Sequence, residues 1–366
     1  MKYTKEQIIN ALKHVDDPDL KKDLISLNMI DDIKIDGNKI SFKLVLTTPA
    51  CPLKEKIKND CIDAIHSYVN KDAEVEVELT SKVTTKRKAT EEILSGVKNI
   101  VAIASGKGGV GKSTIAVNLA VSLGKTGAKV GLIDADIYGP SIPLMFGLVN
   151  EKPFVKEVNG KTKVIPIERF GIQLLSIGFF VDDSQALVWR GPMASNALMQ
   201  LFNDSDWGEL DYLIVDLPPG TGDIHLSLVQ QVPVTGVAIV TTPQEVALAD
   251  ARKAISMFRQ DQINVPVLGF IENMSYFTPA ELPENKYYIF GKEGGKKLAE
   301  KMNVPLLGEI PLVQSVCESG DNGHPTALDD NSLIAKAFKE MAGNIAQQVA
   351  IRNATIEPTK KVEMKS

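Results

Sequence analysis

The run Gly106-Lys107-Gly108-Gly109-Val110-Gly111-Lys112-Ser113 is the part of this chain with the clearest chemical purpose. It fits the spacing G-x-x-x-x-G-K-[ST], in which glycines let backbone N–H groups turn inward around phosphate oxygens. Lys112 is spaced to reach β- and γ-phosphates, and the Ser113 hydroxyl, followed by Thr114, to ligate Mg²⁺. An apolar run before it ("VAIAS") and a helix-forming run after it ("TIAVNLA") supply the strand and helix terminus that anion binding needs. Without a ligand the same residues would be a glycine-rich strand–helix turn. Carboxylates stand at the ends of two further apolar runs: Asp134 and Asp136 in "LIDADIYGPS", and Asp216 in "YLIVDLPPGTGD". A carboxylate there suits an Mg²⁺-bound water. Singly, Asp134 or Asp216 could cap a helix and Asp136 could sit in an exposed turn. Together beside a phosphate loop they point to one site for a nucleoside triphosphate and Mg²⁺.

The thiols are few. Cys51, Cys61 and Cys317 form no C-x-x-C pair, the local mark of a zinc or iron–sulfur site. Leu53, Ile57, Cys61 and Ile65 recur every four residues, so Cys61 reads as core. Cys51 precedes Pro52, a good first helical residue, and a thiol near a helix N-terminus has a lowered pKa; an inert buried turn thiol is the other reading. Cys317 reads as helix packing on the nucleotide side. His14, His66, His225 and His324 lack metal-ligand spacing and receive no role.

Elements that could position these groups alternate. From Asn99 onward, short β-branched runs alternate with helical segments, which implies βαβ units and a mostly parallel sheet with ligands beyond the strands' carboxyl ends. Ahead of it, "TKEQIINALKHV" has helical spacing, "DDIKIDGNKISFKLVL" reads as a hairpin about Asp36-Gly37-Asn38, another helix follows Pro52, and "AEVEVEL" alternates. The expected fold class is therefore α/β, a mostly parallel-sheet P-loop domain preceded by a small α+β domain. Its expected boundaries are residues 1–84, a linker at 85–98, the ATPase domain at 99–352 and a disordered tail at 353–366. The 366-residue chain is 44% hydrophobic with net charge −5, which gives no reason to expect nucleic acid. No apolar run is long enough to span a bilayer and no signal-peptide core opens the chain, so a cytoplasmic protein is expected.

"KGGVGKST" resembles the deviant Walker A signature of the ATPase class that includes MinD and the nitrogenase iron protein. More specifically, "WRGPMASNALMQLF", "DWGELDYLIVDLPPGTGDIHLSL", "TTPQEVALADARKAISMF" and "IENMSYF" resemble the Mrp/ApbC family of iron–sulfur cluster carrier ATPases from Asn99 to Gln348. "DPDLKKDLISLNMI" and "LTTPACPLKEKI" resemble the small iron–sulfur assembly domain often fused ahead of such ATPases. The resemblance implies that Lys107, otherwise a solvated loop charge, crosses the interface of an ATP-state homodimer to the partner's nucleotide. It implies that Asp136 orients the attacking water, that Asp134 supports the Mg²⁺ shell and that Asn273 contacts adenine. It implies a slow ATPase that hands clusters to apoprotein clients.

One departure stands out. The resemblance leads one to expect a C-P-x-C motif just after "ENMSYF", where paired cysteines hold a cluster across the dimer. Here the chain continues "TPAELPENKYYIFGKEGG", with Tyr and Phe and no thiol. Iron–sulfur clusters need soft ligands, so the usual site is absent and Cys51 is the thiol left to consider. The tyrosine-rich stretch is expected to form a loop at the sheet's carboxyl ends, packed on the domain or serving as an interface. Two other readings stay open: an ATP-dependent metalloprotein chaperone with no cluster of its own, and a MinD/ParA-like positioning switch. A membrane-bound version of the last is disfavoured by the polar C-terminus.

Overall fold

A computed structural model describes residues 3–87, 93–158, 160–180, 191–279, 281–282 and 284–359. Two compact units emerge, residues 1–85 with 346–356 and residues 86–345 with 357–366. In the first, helix α1 (Lys5–Leu12) begins with a capping box in which Thr4 and Gln7 satisfy each other's backbone N–H groups. Two-residue strands β1 (Asp16–Asp17) and β2 (Lys22–Asp23) pair, and β3 (Ile30–Asp36) turns through Gly37 into β4 (Lys39–Leu46). Helix α2 (Lys54–Tyr68) and strand β5 (Glu74–Ser81), parallel to β4, complete it. Strand β4 buries alternate residues, so Ile40, Phe42, Leu44 and Leu46 meet Ile57, Cys61 and Ile65 of α2 in one core.

The second unit runs β6 (Val97–Ala104), α3 (Lys112–Gly124), β7 (Val130–Asp134), α4 (Ile142–Met145), β8 (Phe154–Val158), β9 (Lys161–Ile165), β10 (Ile167–Arg169) and β11 (Ile172–Ser176). It continues with α5 (Gly191–Asn203), β12 (Leu210–Asp216), α6 (Asp223–Gln231), β13 (Gly236–Thr241), α7 (Glu245–Phe258) and β14 (Val267–Phe277). Helix α8 (Gly294–Met302), β15 (Leu306–Leu312), α9 (Gln314–Asp321) and the first part of α10 (Leu333–Thr355), up to Ile345, complete it. Eight strands make one sheet in the order β10-β11-β7-β12-β6-β13-β14-β15, parallel except at β10. Strands β6, β12 and β13 are buried almost throughout because helices cover both faces. Their carboxyl ends bring residues 105–111, Asp134 and Asp216 to one rim.

Several expected boundaries move. Strand β6 starts at Val97, inside the stretch read as linker, and residues 88–92 of that stretch lie outside the described residues. The tail read from Asn353 begins later, because α10 reaches Thr355 and buried Asn353 donates to the Thr84 carbonyl (3.0 Å). Gln347 likewise donates to both carboxylate oxygens of Asp19 (2.8 Å each), which draws residues 346–356 into the first unit. Residues 360–366 of the expected tail, with Trp189 and Arg190 of the quoted blocks, lie outside the described residues.

Candidate functional site

The loop between β6 and α3 is shaped by two left-handed glycines, Gly109 (φ +78°) and Gly111 (φ +80°). At Gly111 a side chain would also be 2.2 Å from Nδ2 of Asn273, whose amide donates to the Val110 carbonyl at 2.8 Å. Asn273 therefore braces the loop from β14. Gly108 and Gly109 meet nothing closer than Pro219 at 3.9 Å, which leaves an open cradle of backbone. Gly106 differs: a Cβ there would strike the Asp250 carbonyl at 2.2 Å, so its smallness serves packing against α7. Helix α3 starts at Lys112 without a side-chain cap, leaving its first N–H groups free for an anion.

Lys112 is buried and donates to Asp216 Oδ1 at 2.7 Å, with Asp136 Oδ2 3.7 Å away and the Ser113 hydroxyl at 3.4 Å. Register pairs Asp216 with Asp134 at the ends of β12 and β7, and both carboxylates are fully buried. Burial, aided by the Asp216 charge, pushes Asp134 up to about 7. Asp134 Oδ1 accepts from the Asp136 amide (3.1 Å), and Oδ2 from the Ile142 amide (3.3 Å) and the Ser176 hydroxyl (3.0 Å). Its oxygens are thus engaged by protein, and it supports the turn that carries Asp136. Burial also raises Asp216 and Asp136, with Lys112 opposing in each case. Asp216 Oδ2 is buried with no hydrogen-bond partner among the described residues. An open backbone cradle, a buried ammonium and an orphaned carboxylate oxygen are the complement of a phosphate chain and a hydrated Mg²⁺.

Lys107 is exposed and makes no side-chain hydrogen bond or ion pair among the described residues, while its carbonyl accepts from Ser105 Oγ (3.0 Å). A cavity of about 550 Å³ opens from this loop, with Lys107, Lys112, Ser113, Thr114 and Asp136 at its polar end. Its other walls come from Met145, Met274, Pro311, Val313 and Val316, a largely apolar lining suited to a base. Sequence reasoning left this wall unassigned. The signal was the carboxyl end of β15, by the same strand-end rule that located Asp134 and Asp216. His225 was also passed over: it is buried on α6, its Nε2 2.9 Å from the Pro218 carbonyl.

Two of the three thiols are placed differently from expectation. Helix α2 begins at Lys54 and not at Pro52, so Cys51 precedes its first turn. Burial raises its pKa, with the Leu53 backbone N–H opposing and Asp19 and Asp17 adding to the rise, so burial outweighs the lowering expected from a following helix. Cys61 is core as read, its pKa pushed up to about 12 by burial. Cys317 does not pack: it is exposed on α9, lines the cavity and lies 3.7 Å from Asp321 Oδ2. Among the described residues no cluster of three or more His, Cys, Asp or Glu could hold a metal ion.

Strand β14 continues past Asn273 to Phe277, where the tyrosine-rich stretch leaves it. The stretch is closed by a bridge in which the Phe277 and Tyr287 amides donate to each other's carbonyls at 2.8 and 2.9 Å. Tyr276 and Tyr288 meet edge to face, with Lys286 over the Tyr276 ring at 4.2 Å. Tyr287, Ile289 and Leu282 are exposed, so packing accounts for only part of this surface.

Residues 96–346 match the family described as NUBPL iron-transfer P-loop NTPase, and residues 5–78 match the iron–sulfur cluster assembly protein family. Across 95% of its length the chain is 47% identical to an iron–sulfur cluster carrier protein of Synechocystis sp., covering 98% of that protein. It is 48% identical to a protein of the same description from Deinococcus radiodurans, over 96% of this chain and 98% of the other. A nucleotide-binding protein from Archaeoglobus fulgidus, solved in complex with ADP, superposes with a TM-score of 0.56 at 37% identity, covering 65% of this chain and 91% of that one.

Proposed function

The chain belongs to the NUBPL-type iron-transfer P-loop NTPase family, and from that premise we propose that it is an ATP-driven carrier that delivers iron–sulfur clusters to apoproteins. The observation that carries the reading is the placement of Lys112 between Asp216 and Asp136 beneath an open glycine cradle. In this reading Gly108 to Thr114 hold the phosphates by backbone N–H groups. Lys112 would pair with the β/γ-phosphates, Asp216 and Ser113 would hold the hydrated cation, and Asp136 would orient the attacking water. Bound Mg²⁺ would neutralise charge developing on the phosphate oxygens. Asn273 supports the loop and borders the base. Lys107, exposed and in no side-chain hydrogen bond or ion pair among the described residues, is free in this reading to meet the nucleotide of a second copy in an ATP-state homodimer. A related nucleotide-binding protein was solved with ADP, and relatives of nearly the same length are described as iron–sulfur cluster carriers, which supports both nucleotide and cargo.

The cargo site is the point on which a second reading rests. No thiol stands in the stretch that follows β14, and Cys61 is sealed in the first unit's core, leaving Cys51 and Cys317 as reachable sulfurs. A metalloprotein chaperone that holds no cluster itself fits that shortage. Anaerobic reconstitution with iron and sulfide, followed by transfer to an apo-ferredoxin with and without ATP, separates the readings. The carrier reading expects cluster on the wild type, loss with Cys51→Ser, and ATP-dependent transfer abolished by Lys112→Ala. Transfer indifferent to Lys112→Ala overturns it, and a wild type that takes up no iron leaves the chaperone reading standing.

A further inference from the structure

Strand β12 ends at Asp216, and the backbone that follows must leave the sheet while keeping this carboxylate still. Leu217 donates to the Ile103 carbonyl (3.0 Å), the last ladder bond on this side. Pro218 and Pro219 have no N–H to give. The next anchor is Gly220, at φ +95°, whose amide donates to the Ser105 carbonyl (2.9 Å) at the base of the phosphate loop. Between these two anchors the Pro218 carbonyl is buried and needs a donor. His225, in the first turn of α6, supplies it: Nε2 lies 2.9 Å from that carbonyl, and its own amide bonds the Gly222 carbonyl (3.1 Å).

A carbonyl oxygen only accepts, so Nε2 carries the hydrogen. Burial and the nearby Lys112 charge disfavour the charged ring, against the pull of the Pro218 and Gly222 carbonyls. Nδ1 is buried and has no hydrogen-bond partner among the described residues. Among the described residues, the ring's one hydrogen bond to another group is therefore the one its Nε2–H makes to the Pro218 carbonyl.

We propose that His225 is a positioning residue for nucleotide hydrolysis: its ring N–H holds the Pro218 carbonyl and thereby fixes the turn linking Asp216 to the phosphate loop. The assignment rests on the ATPase reading above. Pro219, the next residue, is exposed on the cavity wall facing Gly108. A turn released at Pro218 therefore shifts the groups beside the phosphates while leaving the cradle itself in place. Nucleotide affinity should survive and turnover should not, since small misplacements of catalytic groups cost rate steeply.

His225→Phe keeps the ring and removes the donor, whereas His225→Gln keeps an N–H of similar reach. In nucleotide-free protein, amide hydrogen exchange at Leu217 and Gly220 is expected to rise in the Phe variant and to stay near wild type in the Gln variant. With Mg²⁺-ATP, the Phe variant is expected to lose about tenfold in kcat with KM held within about twofold, and the Gln variant to recover within about threefold of wild type. Should the Phe variant not fold, His225→Asn, whose amide is too short to reach, replaces it in the same comparison. Wild-type exchange at both amides in the donor-less variant overturns the proposal. So do equal losses of kcat in donor-less and Gln variants, or a rise in KM at unchanged kcat. A wild type that hydrolyses no ATP overturns the ATPase reading instead, and the nucleotide-free exchange comparison still decides what His225 holds.

Discussion

Gly111→Ala is the smallest change that tests how the phosphate loop is built. A side chain at φ +80° pays the left-handed penalty of about 1 kcal/mol. The new Cβ would lie 2.2 Å from Asn273 Nδ2, so that amide must swing away and abandon the 2.8 Å bond to the Val110 carbonyl. Losing that bond and displacing a buried polar group adds about 2 kcal/mol. The single variant should therefore lose about 3 kcal/mol, and Asn273→Ala alone, which gives up only the bond, about 1 kcal/mol. Combining them does not add: with Asn273 truncated the collision is gone, and only the backbone penalty and the missing bond remain, about 2 kcal/mol. The expected coupling is thus about 2 kcal/mol in favour of the double variant. Urea unfolding followed by tryptophan fluorescence reads it, because Trp207 is buried in the second unit's core. Fluorescent-ATP binding measured alongside should fall in Gly111→Ala and partly return in the double variant. Additive stability losses would refute the claim that Asn273 and Gly111 are fitted to each other.

Two further outcomes follow from buried and exposed acids. Iodoacetamide at pH 8 should label exposed Cys317 first and half-buried Cys51 more slowly, with Cys61, pushed up to about 12, reacting only on unfolding; peptide mass mapping over time reads the order, and early labelling of Cys61 would contradict the first unit's core. Glu272, almost fully buried, accepts from the Gly295 amide at the start of α8, and burial raises its pKa, with that amide opposing and Glu309 adding to the rise. The folded state then holds its proton more tightly than the unfolded chain, so this residue's contribution to stability declines as pH climbs above the ordinary carboxylate range. Glu272→Gln should accordingly gain stability relative to wild type at about pH 8 and lose that advantage towards about pH 4.5, as thermal melts across that range would show.

Much of this architecture could be read from local pattern. The β-branched runs are buried on both faces, and a continuous apolar run such as "YLIVD" has few other uses. The phosphate loop was legible because its glycines do local work: Gly109 and Gly111 need φ values that other residues avoid. The strand-end rule then located Asp134 and Asp216, since a parallel sheet gathers its carboxyl ends on one rim. What local pattern could not supply was the division of labour between two adjacent carboxylates. Asp134 is consumed by the Asp136 and Ile142 amides and Ser176, and Asp216 alone keeps a bare oxygen. That difference depends on Ser176, which lies in a strand 42 positions away along the chain.

The cysteine environments were hard to read for the same reason. Cys51 looked activated because a helix followed it, yet the helix starts later and the thiol is half-buried near Asp17 and Asp19, so desolvation and like charge decide its state. Cys317 reads in sequence as helix packing on the nucleotide side; it lies on that side, yet α9 buries none of its residues and the thiol faces the cavity. The tyrosine-rich stretch makes the complementary point. Where the family resemblance implies thiolates and a bridging cluster, this chain closes the excursion with its own backbone: Phe277 and Tyr287 exchange both hydrogen bonds. Lys286 and Lys292 lie over Tyr276 and Tyr288, at 4.2 and 5.2 Å from the ring centroids. Stacked cations of this kind contribute about 0.5–1 kcal/mol each at exposed sites, enough to order a short loop that is already bridged. The geometry that a metal would have enforced is held by main-chain pairing and ring contacts, so this segment needs no iron to keep its place. Its exposed Tyr287 and Ile289 then remain available for contact with another protein surface.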